Sequence, residues 1–300
     1  MRVAVTGASG FIGRHVMTRL ASRGDTAIAV PRPFAHDTLL AAFRAADLVV
    51  HLAGVVATTD EQVYIDGNVT AAARVAEAAR DAGVHLVHVS SLAAAGPAPS
   101  AAPHVESDPP SPITRYGRTK LDGELAVKAT SGLRWTVLRP GVVYGPGDRA
   151  LVPLFRMARS GLLPLVGRAD AAYTFIYIDD MVDAVLAAVD RAPAGATMFV
   201  GHPEPVTPRA LVEQVREAAG ARAAIVRVPQ ALLRIAAWGG DVAGALRGRP
   251  APINSRRFAE LNSPGFVCRV DRLRQDLGVE ARVGLADGVR RASSWYRSQV

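Results

Sequence analysis

Two side chains near the middle of the chain could handle a proton together. Tyr116 and Lys120 are four residues apart, so on a helix the phenol and the ammonium share one face. A phenol normally titrates near pH ~10, and a neighbouring ammonium favours the phenolate and lowers its pKa. The chain has 35 Lys and Arg residues, but its only lysines are Lys120 and Lys128, so a lysine at this position is less easily incidental. The pair predicts a general acid/base that works near neutral pH.

A glycine-rich turn near the N-terminus could hold a pyrophosphate. Residues 1–6 form an apolar, β-branched run, and a helical pattern of apolar residues follows from Phe11, which predicts a strand, a turn and a helix. Free N–H groups and the dipole at a helix N-terminus attract anions. Glycines 7, 10 and 13 give the turn a G-x-x-G-x-x-G spacing. It predicts a dinucleotide site contacted by Gly7, Ser9, Gly10, Phe11 and Ile12.

The chain resembles the extended short-chain dehydrogenase/reductase family in three places: the T-G-x-x-G-F-x-G turn, Ser91 and the Y-x-x-x-K segment at 116–120. The resemblance runs over nearly the whole chain. It implies hydride transfer beside a nicotinamide, in which Tyr116 exchanges the proton and Lys120 also holds the ribose hydroxyls. Ser91, five residues before Gly96, matches the family's catalytic hydroxyl, which positions the substrate oxygen, whereas Ser90 is expected to be structural.

The same resemblance and the run of buried strands predict an α/β fold. We expect a doubly wound parallel-sheet Rossmann domain and a smaller C-terminal substrate-binding lobe. The predicted Rossmann domain comprises residues 1–144 and 175–200. The predicted substrate lobe comprises residues 145–174 and 201–300.

The second predicted strand, residues 26–30, should end near the adenosine ribose. An acidic residue there would bind the ribose 2′-hydroxyl, but this chain has Arg32, whose planar fork suits a 2′-phosphate. We therefore expect NADP, with NAD as the alternative and an ordinary surface arginine as the other interpretation of Arg32. The segment 31–46 has room for one short helix, so the family's next strand is expected to be truncated or absent. Further predicted cofactor contacts are Leu52, Ala53, Gly54, Tyr116, Lys120, Pro140, Val142 and Val143.

Asn68 has two interpretations. It matches a family position that hydrogen-bonds backbone and orders water near the lysine. An ordinary helix-cap asparagine is equally compatible with the sequence.

The substrate half of the sequence favours an apolar pocket. Relatives that act on nucleotide sugars often have an asparagine where this chain has Val142, an Arg-Asp pair where it has Tyr173 and Thr174, and, in dehydratases, acidic groups where it has Leu92. The pattern is similar to the hydroxysteroid dehydrogenase and dihydroflavonol reductase-like branch. We expect an NAD(P)-dependent oxidoreductase that interconverts a carbonyl and a secondary alcohol on a largely apolar small molecule. A nucleotide-sugar epimerase or dehydratase is the alternative, and the predicted substrate contacts are Leu92, Tyr144 and Tyr173.

Composition limits the remaining classes. The net charge is +8, but the arginines are scattered and form no basic run, so nucleic acid is not an expected partner. A single cysteine, Cys268, excludes an internal disulfide and fits a reducing, cytoplasmic compartment. No metal site and no stable membrane insertion are expected, and a homodimer is compatible with the resemblance. Residues 231–238 are amphipathic and could either touch a membrane surface or close the substrate pocket.

Overall fold

A central sheet of six parallel strands organises the computed structural model, which describes residues 1–248, 251 and 254–300. The strands lie in the order β2-β1-β3-β4-β5-β10 across the sheet. Their carboxyl ends therefore all meet at one edge. The bounds are β1 (Arg2–Thr6), β2 (Thr26–Val30), β3 (Leu48–His51), β4 (His85–Val89), β5 (Trp135–Pro140) and β10 (Ala196–Val200).

Helices cover both faces of this sheet. On one face, α1 (Phe11–Ser22) packs against α7 (Ile178–Arg191). On the other, α2 (His36–Arg44), α4 (Ala71–Asp81) and α5 (Arg115–Ala129) pack side by side. Every residue of β3 and β4 is buried, as strands covered on both faces require. The predicted doubly wound α/β fold is confirmed.

The segment between β2 and β3 is short, as the sequence indicated. Within described residues 31–47 the chain forms α2 and no strand, so β2 is the edge strand on that side. The adenine side of the predicted cofactor groove is consequently bounded by α2 and by the helix that precedes α4.

That preceding helix joins α4 through a wider turn. Helix α3 (Glu61–Ile65) continues into a π-helical turn, Asp66–Thr70, and then into α4. A second short element, the 3₁₀ turn Leu92–Ala94, follows β4 directly. Both irregular turns lie close to the Tyr116 helix, since α5 contacts each of them.

The remaining elements form small two-stranded sheets and a helical C-terminal region. Strand β6 (Val142–Tyr144) pairs with β9 (Phe175–Tyr177), outside the central sheet. Strand β7 (Leu162–Leu165) pairs with β11 (Ala224–Arg227), and β8 (Ala172–Tyr173) pairs with β12 (Gly265–Phe266). The other helices are α6 (Val152–Arg159), α8 (Pro208–Ala218), α9 (Gln230–Arg247), α10 (Ser255–Asn262), α11 (Asp271–Leu277) and α12 (Leu285–Ser298).

The predicted domain segments match the sheet only in part. All six central strands fall within residues 1–144 and 175–200, but β9 leaves the sheet to pair with β6. The C-terminal region is also tied to the Rossmann part, because the Asp180 carboxylate in α7 accepts from the Arg282 N–H (3.1 Å) and the Val283 N–H (2.9 Å). The division into two lobes at the chosen boundaries stays a prediction.

Candidate active site

The glycine turn forms a tight backbone cradle between β1 and α1. Gly7 has a φ of +72°, and a Cβ there would lie 2.6 Å from the Ala53 nitrogen. A methyl group on Gly13 would overlap the Gly7 carbonyl. Because Gly10, at the N-cap, has no side chain, the first N–H groups of α1 are left to an anion. This cradle, which only glycine permits, fits a dinucleotide pyrophosphate.

Ser9, Phe11 and Ile12 surround this cradle. Ser9 is exposed on the turn, and Phe11 and Ile12 are half-buried in the first turn of α1. A Cβ on Gly147 would lie 3.2 Å from the Phe11 ring, so the loop after β6 sits against the start of α1. The predicted contacts at the turn and the segment after β5 therefore border the same groove.

Arg32 lies at the edge of the groove, two residues after β2. Val30 at the end of β2 is in register with Thr6 at the end of β1, which places Arg32 on the same side of the sheet as the glycine turn. Its guanidinium is exposed, reaches to 3.5 Å from the Gly67 carbonyl oxygen and lies 5.5 Å from the Phe34 ring centroid. A cation at this point can meet a ribose phosphate without being buried in an ion pair.

The segment after β3 connects the cradle to the lysine. The Leu52 N–H donates to the Thr6 carbonyl (3.1 Å), and Ala53 packs on Gly7. A Cβ on Gly54 would lie 3.8 Å from Lys120 Nζ and 3.1 Å from Asn68 Oδ1. Leu52, Ala53 and Gly54 thus form a continuous strip of backbone between the glycine turn and the predicted catalytic helix.

Helix α5 carries Tyr116 down onto the turn that follows Ser91. The Thr114 hydroxyl caps the helix by accepting from the Gly117 N–H (3.1 Å), and a side chain on Gly117 would overlap the Ala93 carbonyl. Ser91 begins this same turn, its Oγ accepting from the Ala93 N–H (3.2 Å). Ser91 and Tyr116 therefore flank one close backbone contact, and both side chains are half-buried.

Lys120 is buried one helical turn below Tyr116. Its Nζ donates to the carbonyl of Val89, the last residue of β4, at 3.0 Å, and the side chain is only 4% exposed. Burial lowers the pKa of Lys120 to about 8, against the attraction of Glu124. At neutral pH most of the Lys120 side chains are still protonated, and they lose the proton at a pH about one unit higher.

A buried carboxylate that the sequence analysis did not identify anchors this helix. Glu124 accepts from the Ser90 hydroxyl (2.5 Å) and, bidentately, from Arg139 (Nη2 2.7 Å, Nε 2.9 Å), while Lys128 lies 3.5 Å away. The cluster ties α5 to β4 and β5 directly beneath the site. Its only local sequence signal was the i, i+4 spacing of Glu124 from both lysines.

Asn68 joins two segments of the chain and does not cap a helix. It lies within the π-helical turn, and its amide bonds both backbone groups of Val55, accepting from the N–H (2.8 Å) and donating to the carbonyl (3.0 Å). It also donates to the Thr119 hydroxyl (3.0 Å), next to Lys120. The helix-cap interpretation does not hold, because the asparagine lies inside a continuous helix and bonds a different segment.

Two stacked histidines lie beneath the glycine turn. His51 ends β3 and contacts the Thr6 hydroxyl through Nδ1 (2.6 Å), and its ring stacks on His88 of β4 with centroids 5.2 Å apart. Among the described residues, neither ring nitrogen of His88 has a hydrogen-bond partner. Burial lowers the pKa of His51 to about 3 and that of His88 well below its usual value, so both rings are neutral.

The predicted nicotinamide and substrate residues differ in their accessibility. Val142 is 39% exposed, Val143 is half-buried and Pro140 is buried. Leu92 and Tyr144 are buried to 3% and 1% exposure, which leaves little of either side chain for a substrate to touch. Tyr173 is half-buried, stacked on Phe266 with ring centroids 6.4 Å apart.

A cleft of about 410 Å³ lies elsewhere, between the loop after β10, α8 and the start of α12. Tyr144 and Phe175 form its floor, and the side chains of His202, Glu204 and Asp287 line it. Its lining includes none of Ser91, Tyr116 and Lys120. The cleft is therefore separate from the predicted catalytic residues.

Known proteins resemble this chain in sequence and in fold. The model of the NAD dependent epimerase/dehydratase family matches residues 3–201. A ceramide reductase of Caulobacter vibrioides is 27% identical over 99% of this chain and 94% of its own. A dTDP-6-deoxy-L-talose 4-dehydrogenase (NAD(P)(+)) of Kitasatospora kifunensis is 32% identical over 76% of this chain and 82% of its own. The structure of MoeE5 in complex with UDP-glucuronic acid and NAD superposes with a TM-score of 0.79, at 25% identity over 100% of both chains.

Proposed function

This chain belongs to the NAD dependent epimerase/dehydratase family and is an NAD(P)-dependent enzyme of the short-chain dehydrogenase/reductase class, and on that premise we propose that it is an NADPH-preferring reductase. Its substrates would be ketones or secondary alcohols with hydrocarbon bulk. The observation that carries the proposal is the approach of α5 to the turn after β4. Gly117 lies against the Ala93 carbonyl, so the first turn of α5, which carries Tyr116, packs on the turn that Ser91 begins. A Cβ on Gly54, in the strip that leads to the glycine cradle, would lie 3.8 Å from Lys120 Nζ.

The proton chemistry follows from the site's own groups. A bound nicotinamide supplies or accepts the hydride at the substrate carbon. Tyr116 Oη gives its proton to the substrate oxygen as a carbonyl becomes an alcohol, and takes one back in the reverse direction. Ser91 Oγ, fixed at the start of its turn, hydrogen-bonds that oxygen and orients it. The Lys120 ammonium stabilises the phenolate left on Tyr116.

The preference for NADPH rests on Arg32. An exposed guanidinium beside the end of β2 can pair with a 2′-phosphate, and this chain has no carboxylate at that position to repel it. We propose Arg32→Asp as the direct test. It should lower the ratio of kcat/KM for NADPH over NADH by at least about tenfold, which is about 1.4 kcal/mol of lost phosphate recognition. Arg44→Asp, on the last turn of α2, is a control that should leave the ratio unchanged.

The preference for an apolar substrate rests on what lines the site. Val142 presents an exposed isopropyl group where a sugar-binding relative would place an amide, and Tyr173 packs its ring on Phe266. The similarity to a ceramide reductase supports a lipid-like carbonyl compound. A pocket built this way has few groups to satisfy the hydroxyls of a sugar.

A nucleotide-sugar epimerase or dehydratase is the second candidate. It is favoured by the similarity to a structure that holds UDP-glucuronic acid and NAD, and the deoxytalose dehydrogenase is a second relative named for a nucleotide-sugar substrate. Such an enzyme would return its hydride to the same sugar and would consume no NADPH.

One set of assays separates the two candidates. The purified protein is tested for NADPH oxidation with aliphatic ketones and 3-oxoacyl compounds of increasing chain length, and for thermal stabilisation by NADPH, NADH, UDP-sugars and dTDP-sugars. We expect chain-length-dependent NADPH oxidation, which Tyr116→Phe should reduce by about 10²- to 10⁴-fold while NADPH binding persists. Tyr64→Phe removes only the hydroxyl of the neighbouring tyrosine, whose ring centroid lies 6.5 Å from that of Tyr116. This control variant should change the rate only a few-fold. Stabilisation by nucleotide sugars with no net NADPH oxidation would reject the reductase.

A further inference from the structure

An exposed apolar stripe runs along α9. Five large side chains on this 18-residue helix are open to solvent, far more than on any neighbouring described element. Their exposed fractions are 57% for Leu232, 65% for Ile235, 71% for Trp238, 47% for Val242 and 84% for Leu246.

The five side chains share one face of the helix. Their spacing of three, three, four and four residues places them within an arc of roughly 120° at 100° per residue. The opposite face carries the buried residues Leu233, Ala237 and Gly244. Helix α9 packs on α10, and the Asp241 carboxylate accepts from the Ser255 N–H (3.2 Å) at the start of α10. The stripe therefore lies on the outer side of a helical hairpin and is not part of the core.

Basic side chains border the stripe. Arg234 and Arg247 are exposed and flank its two edges on the helical wheel. Residues 230–262 contain five arginines and two carboxylates. Of the two carboxylates, Glu260 pairs with Arg257 at 3.2 Å and Asp241 accepts from the Ser255 N–H. Among the described side chains, Arg234 and Arg247 therefore form a cationic rim at the two edges of the stripe.

We propose that α9 is an interfacial helix that docks the protein onto an anionic lipid surface. Apolar side chains that include a tryptophan midway along the helix, bordered by arginines, match a helix that lies in the headgroup region with its apolar face in the acyl boundary. Among the described residues no helix is long and apolar enough to cross a bilayer, so contact with the membrane would be peripheral.

The cationic rim argues against a second copy of this chain as the occupant. A twofold interface would place the same patch on both sides, so the arginine rim of one copy would face that of the other. A surface of anionic headgroups instead complements the rim.

The hairpin also borders the predicted substrate side of the molecule. The Tyr173 hydroxyl donates to the carbonyl of Glu260 in α10 at 3.4 Å. Docking through α9 would therefore bring the predicted substrate lobe close to the lipid surface. The docking itself depends only on the stripe and its rim, so it does not depend on the proposed reductase activity.

The experiment is co-sedimentation of the full chain with vesicles of phosphatidylcholine alone and of phosphatidylcholine with 30% phosphatidylglycerol, while tryptophan emission is recorded. We expect binding to the anionic vesicles, a blue shift as Trp238 leaves water, and weakening by salt. The double variant Ile235→Ser/Trp238→Ser should bind at least about tenfold more weakly, since two large side chains would no longer be buried. Arg234→Gln/Arg247→Gln should lose most of the preference for anionic vesicles.

Matched controls separate docking from misfolding, self-association and loss of activity. Leu162 is 51% exposed on β7 and is not part of α9 or α10, so Leu162→Thr should bind vesicles like the wild type. NADPH binding and turnover of a water-soluble substrate should be unchanged in all of these variants. Absence of binding to anionic vesicles would overturn the proposal, as would unchanged binding by the Ile235/Trp238 variant. A wild-type dimer that this variant converts to a monomer would assign the stripe to a second copy instead.

Discussion

Replacing Lys120 with methionine should stabilise the fold while abolishing activity. Lys120 is a cation held almost entirely out of water, and its Nζ donates to the Val89 carbonyl at 3.0 Å. A cation kept in such a place lowers stability, a cost that proteins bear at functional sites. Methionine has a similar length and shape and needs no solvation.

The size of the effect follows from the pKa of the lysine. Burial lowers this pKa from 10.5 to about 8, and that difference corresponds to about 3 kcal/mol of penalty on the charged form. Loss of the hydrogen bond to the Val89 carbonyl lowers the stability of the variant by about 1 kcal/mol. The variant should therefore gain about 2 kcal/mol, or about 3 °C in Tm for a chain of this length.

The dependence on pH gives this prediction a second measurement. Below pH 8 the lysine is protonated in the folded and unfolded states alike, and the folded state bears the whole penalty. Between pH 8 and 10.5 the unfolded state binds the proton more tightly, so wild-type stability should rise with pH in that window. This rise should be missing from Lys120→Met when both proteins are unfolded by urea at pH 7, 8 and 9.5.

Lys128→Met is the matched control, since Lys128 is the other lysine of the same helix. It is 28% exposed, lies 3.5 Å from Glu124 and 5.4 Å from the Trp135 ring centroid. This variant should keep its activity and gain no stability. A Lys120→Met protein that is less stable than wild type at pH 7 would refute the reasoning and make Lys120 a structural cation.

Three further outcomes follow from the site. His51 and His88 are neutral in the folded state but titrate near pH 6.5 in the unfolded state, so the free energy of unfolding should fall as the pH drops below 6.5. Urea titrations should show a loss of about 2 kcal/mol per histidine at pH 5, and an unfolding free energy that does not change with pH would contradict their burial. Gly13→Ala, whose methyl would overlap the Gly7 carbonyl, should raise the Kd for NADPH at least about tenfold in fluorescence titrations, and unchanged affinity would exclude the cradle. Asn68→Ala leaves the N–H and the carbonyl of Val55 without their side-chain partner, so it should lower the unfolding free energy by about 2 kcal/mol and also lower kcat. Asn68→Asp should restore only the hydrogen bond from the Val55 N–H.

Local sequence patterns were sufficient to predict the strands and helices around the glycine turn and the backbone cradle that this turn forms. A β-branched run, glycines at spacing three and a helical stripe specify the first strand, turn and helix through interactions within about 20 residues. The missing strand between β2 and β3 could also be read from length alone, because 16 residues leave room for only one helix. The i, i+4 spacing likewise placed Tyr116 and Lys120 on one face of α5 before any tertiary contact was known.

Other features depended on partners that lie far away in the chain. Glu124 carried no local signal beyond its i, i+4 spacing from the lysines, but the fold brings Arg139 of β5 and Ser90, the residue after β4, to its carboxylate. Asn68 had two interpretations that the sequence could not separate, and only the approach of Val55 and Thr119 excludes the helix cap. No local pattern encodes such meetings.

The sequence by itself determined the Rossmann architecture, the glycine cradle and the pairing of a phenol with an ammonium, because each depends on neighbours along a strand or a helical turn. Tertiary structure alone decided which side chains are accessible. It buried Leu92 and Tyr144, which the sequence analysis assigned to the substrate, and it left the apolar face of α9 in solvent. Apolar side chains at helical spacing look the same whether a partner element covers them or not, and whether such a partner exists is a property of the whole fold.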